Sequence, residues 1–192
     1  MTFLTQFLRN VFTLLCILVS FNSQGADNSG IGSATEWSTY RGNTSGTGYS
    51  PLGQITSENV NSLEVAWSYS LRNDSAESAR EPNSQATPIV VDGVMFLPTA
   101  DRVVALDPLT GEELWSHTVA LNAPSRRGVT YWAGQGGISP RIFYTAFDQL
   151  IALDAASGEL DLEFGESGRV TMGIPYISVP FVYKNIIVVG AN

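Results

Sequence analysis

The feature that most constrains this sequence is a repeat in which two stretches recur 47 positions apart. Thr99–Asp107 is matched by Ala146–Asp154, and each stretch is followed by a similar turn, Leu109–Glu112 in the first copy and Ala156–Glu159 in the second. A period of this size, made of short strands and glycine turns, is typical of a radial repeat rather than of one closed core. The repeat therefore predicts the architecture of the chain and narrows its function.

Each copy contains the pattern of several short strands joined by tight turns. In the first copy Asp92-Gly93 readily supplies the positive φ angles of a hairpin turn. The predicted strands are Pro88–Val91, Val94–Leu97, Arg102–Leu106 and Glu113–Val119. Four short strands in one meander are the unit of a β-propeller blade.

The sequence predicts an all-β chain that forms part of a β-propeller, with about two and a half four-stranded blades. The blade repeats are placed at about residues 86–119 and 139–164, and a third starts near residue 178, where Val179–Val189 lines up with Thr87–Leu97. Propellers need roughly 4–8 blades to close. We therefore expect an N-terminal fragment of a longer protein, aggregation-prone in isolation because its last strands have no neighbour. Leu63–Leu71 alternates apolar and polar residues and predicts a further strand.

The first 26 residues differ in kind from the rest and predict a secretory signal peptide. An apolar stretch, Val11–Phe21, follows Arg9, and small residues suited to cleavage come next. This predicts export to the periplasm, with inner-membrane association as the alternative if the segment is not cleaved. Residues 27–36 are small and polar and predict a disordered mature N-terminus. The chain has 18 acidic and 10 basic residues and no basic cluster, which argues against a nucleic-acid partner.

The end of the first copy carries a family resemblance. Ala105–Trp115 resembles the tryptophan-docking repeat of the pyrroloquinoline-quinone (PQQ) dehydrogenases, in which Ala, Asp, Thr-Gly and Trp recur once per blade. The Asp and Gly make the turn, and the Trp places a large ring between neighbouring blades. In the second copy Leu162 stands where the first has Trp115. Scaffold propellers of the outer-membrane assembly machinery carry the same repeat, so a non-enzymatic scaffold is the alternative function.

Other stretches resemble the large periplasmic quinoprotein dehydrogenases more specifically. They are Trp37–Tyr40, Tyr49–Leu52, Leu63–Trp67, Ala86–Gly93 and Arg127–Trp132, the last resembling a loop that reaches the cofactor. The resemblance implies an eight-bladed propeller that holds PQQ and Ca²⁺ near its axis. Such a protein oxidises an alcohol, sugar or cyclitol and passes electrons to a respiratory acceptor, ubiquinone or cytochrome c.

The resemblance also implies where the chemistry is done. In this family an Asp acts as general base on the substrate hydroxyl, while Ca²⁺ polarises the quinone. Both the Asp and the calcium ligands are expected beyond Asn192. No catalytic or metal-ligating residue is therefore predicted within this chain, and the 192-residue product alone is predicted to lack dehydrogenase activity.

By the same resemblance, four residues are candidate cofactor contacts: Arg127, Gln85, Ser178 and Asn192. The guanidinium of Arg127 can hold a carboxylate bidentately and stays charged when desolvated. Gln85 stands where many family members have Glu; it can still form a hydrogen bond, but it brings no charge.

Ser178 lies near a family hydroxyl that contacts the cofactor, and Asn192 starts a loop that approaches it. Methanol-type relatives place a vicinal cysteine disulfide just before the cofactor arginine. The residues before Arg127 here are Pro124, Ser125 and Arg126, which argues against the methanol and ethanol subclass and favours the sugar or cyclitol type.

Overall fold

The computed structural model describes residues 36–71, 84–119 and 123–190. Within these residues the only regular element that is not a β-strand is a 3₁₀ turn, Val60–Ser62. The predicted signal peptide, residues 27–35 and Asn192 lie outside the described residues. No helix in the described part of the chain is long and apolar enough to cross a membrane.

The strands form two four-stranded antiparallel sheets followed by a hairpin, which confirms the predicted partial propeller. The first blade consists of β1 (Ile89–Val91), β2 (Val94–Pro98), β3 (Arg102–Leu106) and β4 (Glu113–Thr118). The second blade consists of β5 (Thr130–Trp132), β6 (Arg141–Ala146), β7 (Gln149–Asp154) and β8 (Arg169–Thr171). The hairpin of β9 (Phe181–Tyr183) and β10 (Ile186–Val188) lies where the third repeat is predicted to start.

The sequence repeat is also a repeat of strand register. Phe96 on β2 pairs with Ala105 on β3, and Phe143 on β6 pairs with Ala152 on β7, so both partners shift by the same 47 positions. The turns repeat as well, because the Asp107 and Asp154 carboxylates each accept two backbone N–H groups of the turn that follows. The two copies are therefore the same supersecondary unit, as the repeat predicts.

The predicted bounds of the second blade, residues 139–164, are wrong at both ends. Its first strand β5 is separated from β6 by a long connection over residues 133–140, whereas β1 and β2 are joined by a two-residue turn. Its last strand is also delayed, because after a single bridge at Leu160 the chain turns again before β8. The sequence period holds only for the central strands, and the edge strands follow connections of different length.

The prediction of a strand over Leu63–Leu71 is also wrong, since these residues form no strand in the structure. The apolar side of the alternation is real: Trp67, Tyr69 and Leu71 pack against a buried cluster of the first blade. Alternation reports burial on one side only, and a strand needs in addition a partner backbone at its edge. The segment covers the face of the first blade without joining its hydrogen-bonded ladder.

Two tryptophans dock on the blades in the same way. The indole N–H of Trp67 donates to the Pro108 carbonyl at 3.1 Å, and that of Trp115 donates to the Ala155 carbonyl at 3.1 Å. Each ring lies against a turn glycine, at which a Cβ atom would be 2.6 Å from Trp67 at Gly111 and 2.5 Å from Trp115 at Gly158. Trp115 thus joins the first blade to the second, as the motif predicts, and Trp67 makes the equivalent contact on the first blade.

Between the two blades, one described residue has a buried side-chain polar atom without a hydrogen-bond partner. Tyr144 is fully buried beside His117, and its hydroxyl has no hydrogen-bond partner among the described residues. Burial raises the pKa of Tyr144 to about 12, so the phenol stays protonated. The Tyr144 hydroxyl is therefore a buried donor with no acceptor among the described residues.

Tyr144→Phe is expected to stabilise the folded protein by about 1 kcal/mol, because it removes an unpaired buried hydroxyl and keeps the ring. Thermal or urea unfolding measures the change. Tyr183→Phe, at a side chain that is 57% exposed, is the matched control and should leave stability unchanged. A loss of stability in Tyr144→Phe alone would show that the hydroxyl has a partner.

Candidate functional site

The blades converge at their first strands, and a cavity opens there. Strands β1, β5 and β9 lie against one another in that order, as inner strands do around a propeller axis. The cavity beside them, called here the axial cavity, has a volume of about 470 Å³. Its lining comes from the inner strands, from the loops before them and from residues 38–46.

Three of the four predicted site residues line the axial cavity together. They are Gln85, Arg127 and Ser178, which come from three separate stretches of the chain. The first two lie on neighbouring backbones, because the Gln85 N–H donates to the Arg126 carbonyl at 3.1 Å and the Thr87 N–H donates to the Arg127 carbonyl at 3.3 Å. The fourth, Asn192, lies outside the described residues.

Ser125 holds the Arg127 loop against the Ser178 loop. It is only 6% exposed; its N–H donates to the Thr145 carbonyl at 2.7 Å and its hydroxyl donates to the Ile177 carbonyl at 2.6 Å. The Thr145 hydroxyl in turn donates to the Ser178 carbonyl at 3.3 Å. In the sequence, Ser125 is notable only because methanol-type relatives have cysteine in this stretch. In the structure, it links two walls of the cavity.

Gly128 allows the inner segments to approach closely. Its φ of 149° lies in a region that favours glycine, and a Cβ atom there would be 3.1 Å from the Val179 side chain and 3.4 Å from the Thr87 carbonyl. The residue directly after Arg127 therefore packs between the other two segments that carry site residues. Thr130, on β5, also donates to the Pro180 carbonyl across the same junction.

A further part of the lining comes from a segment for which the sequence predicts no role in the site. Trp37 exchanges two backbone hydrogen bonds of 2.9 Å with Val90 on the inner strand β1. The residues after it then run along the cavity, and those that line it are Ser38, Thr39, Tyr40, Asn43, Thr44 and Gly46. The sequence offered only a family resemblance here, because hydroxyl and amide residues in a glycine-rich stretch form no recognisable motif.

The charge in the cavity is unbalanced. Among the described residues that line it, Arg127 is the only one with a charged side chain, and the others are hydroxyl, amide or apolar. Within the described residues no hydrogen bond or ion pair engages its guanidinium. Burial, with a smaller effect from the Asp92 carboxylate, raises the pKa of Tyr131 and keeps this lining phenol neutral. A single unneutralised cation among neutral donors suits an anionic ligand.

The described residues contain no cluster of three or more His, Cys, Asp or Glu side chains that could hold a metal ion.

The fold is that of a partial all-β propeller with a cavity beside its inner strands, and the family follows from comparison with known proteins. Residues 37–192 match the sequence model of the PQQ-dependent glucose/ethanol/alcohol dehydrogenase β-propeller domain. The chain belongs to this family.

Individual relatives agree with the family match. The chain is 37% identical over 136 residues to the dehydrogenase subunit of a quinone-dependent alcohol dehydrogenase from Gluconobacter oxydans, covering 65% of this chain and 16% of the relative. It is 32% identical over 189 residues to a cytochrome c-dependent 1-butanol dehydrogenase from Thauera butanivorans, covering 95% of this chain and 25% of the relative.

A solved structure shows the same fold. The crystal structure of quinohemoprotein alcohol dehydrogenase from Comamonas testosteroni superimposes with a TM-score of 0.62 at 30% identity, covering 81% of this chain and 23% of that one. The chain thus spans a quarter or less of the length of these three relatives.

Proposed function

We propose that this chain supplies one wall of the PQQ pocket in a dehydrogenase that oxidises an alcohol, sugar or cyclitol hydroxyl. The observation that carries the proposal is the unneutralised Arg127 guanidinium, which shares the axial cavity with Gln85 and Ser178. Three residues assigned from a family resemblance come together in one cavity, although they are distant in sequence.

The residues fit the chemistry of PQQ, a planar quinone that carries carboxylate groups. Arg127 can bind a carboxylate with two parallel hydrogen bonds, and no described carboxylate competes for it. Gln85 and Ser178 can donate to carboxylate or quinone oxygens without adding charge. When bound, PQQ supplies the redox chemistry by accepting hydride from the hydroxyl-bearing carbon.

The residues of this chain bind and orient the cofactor, and none of them takes part in proton transfer. The general base and the calcium ligands belong to parts of the propeller outside the described residues. Two relatives are named as dehydrogenases of alcohols with quinone or cytochrome c as the acceptor. A respiratory acceptor of either type and a periplasmic location follow from the proposal.

Two observations bear on the substrate class. Relatives are named for alcohols, glucose and glycerol. The replacement of the methanol-type cysteine pair by Ser125 and Arg126 favours a sugar or cyclitol.

The test reconstitutes the full-length native protein that contains this chain with PQQ and Ca²⁺, and measures dye-coupled oxidation of ethanol, glucose and quinate. We expect PQQ to bind and at least one substrate to be turned over. A protein that neither binds PQQ nor oxidises any of the three would instead support a scaffold propeller.

A further inference from the structure

The inner ends of neighbouring blades are joined in two different ways. Between the first and second blades, backbone bonds directly to backbone, because the carbonyls of Arg126 and Arg127 accept N–H groups at 3.1 and 3.3 Å. Gln85 and Thr87, which donate these bonds, lie just before β1. A link of this kind depends on the course of the backbone and not on any particular side chain.

The second blade and the third repeat are joined through side chains. Arg127 and Ser178 lie at corresponding places, each three positions before the first residue of an inner strand, β5 or β9. The carbonyls of Ile177 and Ser178 therefore correspond to the two acceptors of the first junction. Here they accept side-chain hydroxyls, that of Ser125 at 2.6 Å and that of Thr145 at 3.3 Å.

Both hydroxyls are buried and belong to one hydrogen-bond network. Ser125 is 6% exposed and Thr145 is 0% exposed, and the Ser125 N–H donates to the Thr145 carbonyl at 2.7 Å. The Ser125 hydroxyl oxygen also accepts the Arg127 N–H at 3.4 Å. The Ser125 side chain thus contacts the loop of Arg127 and the loop of Ser178 at the same time.

The sequence repeat shows that strand pairing does not need the Thr145 hydroxyl. Thr145 pairs with Leu150 in the second blade, and the residue 47 positions earlier, Pro98, pairs with Val103 in the first blade. Pro98 is also fully buried, and it has no hydroxyl. The Thr145 hydroxyl is therefore an addition to the common blade unit, and it bonds to a residue that lines the axial cavity.

We propose that Ser125 and Thr145 are positioning residues for the cofactor, because their hydroxyls hold the Ser178 loop in place against the Arg127 loop. The inference rests on the proposed function, since it takes PQQ as the occupant of the axial cavity. Neither Ser125 nor Thr145 is among the described residues that line this cavity. Both act through Arg127 and Ser178, whose loops are held in one arrangement before PQQ binds, which lowers the entropy cost of binding.

The test titrates PQQ into the cofactor-free, full-length native protein and its variants while tryptophan fluorescence is followed. Ser125→Ala removes one hydroxyl, and Thr145→Val removes the other while it keeps the shape of the side chain. We expect each to raise the Kd for PQQ about ten-fold, because a carbonyl at the junction loses its donor. Thr145→Ser keeps the hydroxyl and should stay within about two-fold of wild type.

Thr99→Val is the matched control for a buried hydroxyl. Thr99 is also 6% exposed and its hydroxyl donates to the Arg102 carbonyl at 3.1 Å, but it is not among the residues that line the axial cavity. Its PQQ affinity should be that of wild type even where its Tm falls. If the Kd instead rises with every loss of Tm, in Thr99→Val and Thr145→Ser as well, the two hydroxyls are merely structural and the proposal is wrong.

A double-variant cycle shows whether Ser125 acts through Arg127. In the Arg127→Gln background the effect of Ser125→Ala on the Kd should shrink from about ten-fold to about three-fold or less. An effect of ten-fold in both backgrounds would contradict the positioning role. If Ser125→Ala does not fold, the contrast between Thr145→Val and Thr145→Ser decides the question.

Failure of this inference is distinguishable from failure of the proposed function. If Ser125→Ala and Thr145→Val bind PQQ like wild type while Arg127→Gln binds it weakly, the positioning role is wrong and the proposed function stands. If the wild-type protein does not bind PQQ, both proposals fail.

Discussion

Gly158→Ala is expected to destabilise the folded protein by about 3–4 kcal/mol. Gly158 has φ of +73°, where an L side chain is strained by about 1–2 kcal/mol. A Cβ atom there would also lie 2.5 Å from the Trp115 ring, and overpacking of this kind costs about 1–3 kcal/mol. The ring cannot withdraw freely, because its N–H is bonded to the Ala155 carbonyl of the same turn. Urea unfolding measures the loss.

The control for this substitution is Gly93→Ala, which separates the backbone cost from the docking cost. Gly93 has nearly the same φ, +76°, but a Cβ atom there would meet nothing within 4 Å. We expect Gly93→Ala to cost only the backbone strain, about 1–2 kcal/mol. Equal effects at the two glycines would show that the Trp115 ring does not constrain the turn and that tryptophan docking does not join the blades.

Arg127→Gln is expected to weaken PQQ binding by about 100-fold, the largest effect that the account assigns to any single side chain in the site. The substitution removes the only charge among the described residues that line the axial cavity, and with it the guanidinium fork that pairs with a carboxylate. Arg127→Lys should recover part of the affinity, because it restores the charge but not the bidentate geometry. Titration of the cofactor-free, full-length protein with PQQ measures both.

Arg126→Gln is the matched control for Arg127→Gln. Arg126 is the preceding residue, is also exposed, and is not among the residues that line the axial cavity. We expect its loss to change the PQQ affinity less than two-fold, apart from a small long-range electrostatic effect. If both arginine variants bind PQQ equally well, the positive charge of the cavity has no part in cofactor recognition.

The blade architecture was predictable because the 47-residue sequence repeat consists of the residues that form the turns and the central strands. Asp107 and Asp154 bind the turn N–H groups, and Phe96 and Phe143 keep the same register, so sequence identity and geometry coincide there. The edge strands of the second blade were missed because they depend on connection lengths, which the period does not encode. The apolar alternation in Leu63–Leu71 predicts a paired β-strand, but it reflects the one-sided packing of Trp67 on the first blade.

The candidate site was predictable only in part. Arg127, Gln85 and Ser178 were named from a family resemblance, and the structure places all three in one cavity. The linking role of Ser125 and the place of residues 38–46 in the cavity lining were not predictable, because both arise from contacts between segments far apart in sequence. A serine or threonine in a glycine-rich stretch has no local pattern that distinguishes a site residue from an ordinary turn residue.

A crystal structure of the full-length native protein with bound PQQ would show directly whether Arg127 and the axial cavity bind the cofactor. We expect PQQ in the axial cavity, with a carboxylate within about 3 Å of the Arg127 guanidinium and with residues 38–44 lining the same cavity. PQQ bound elsewhere, or Arg127 turned away from it into solvent, would contradict the account.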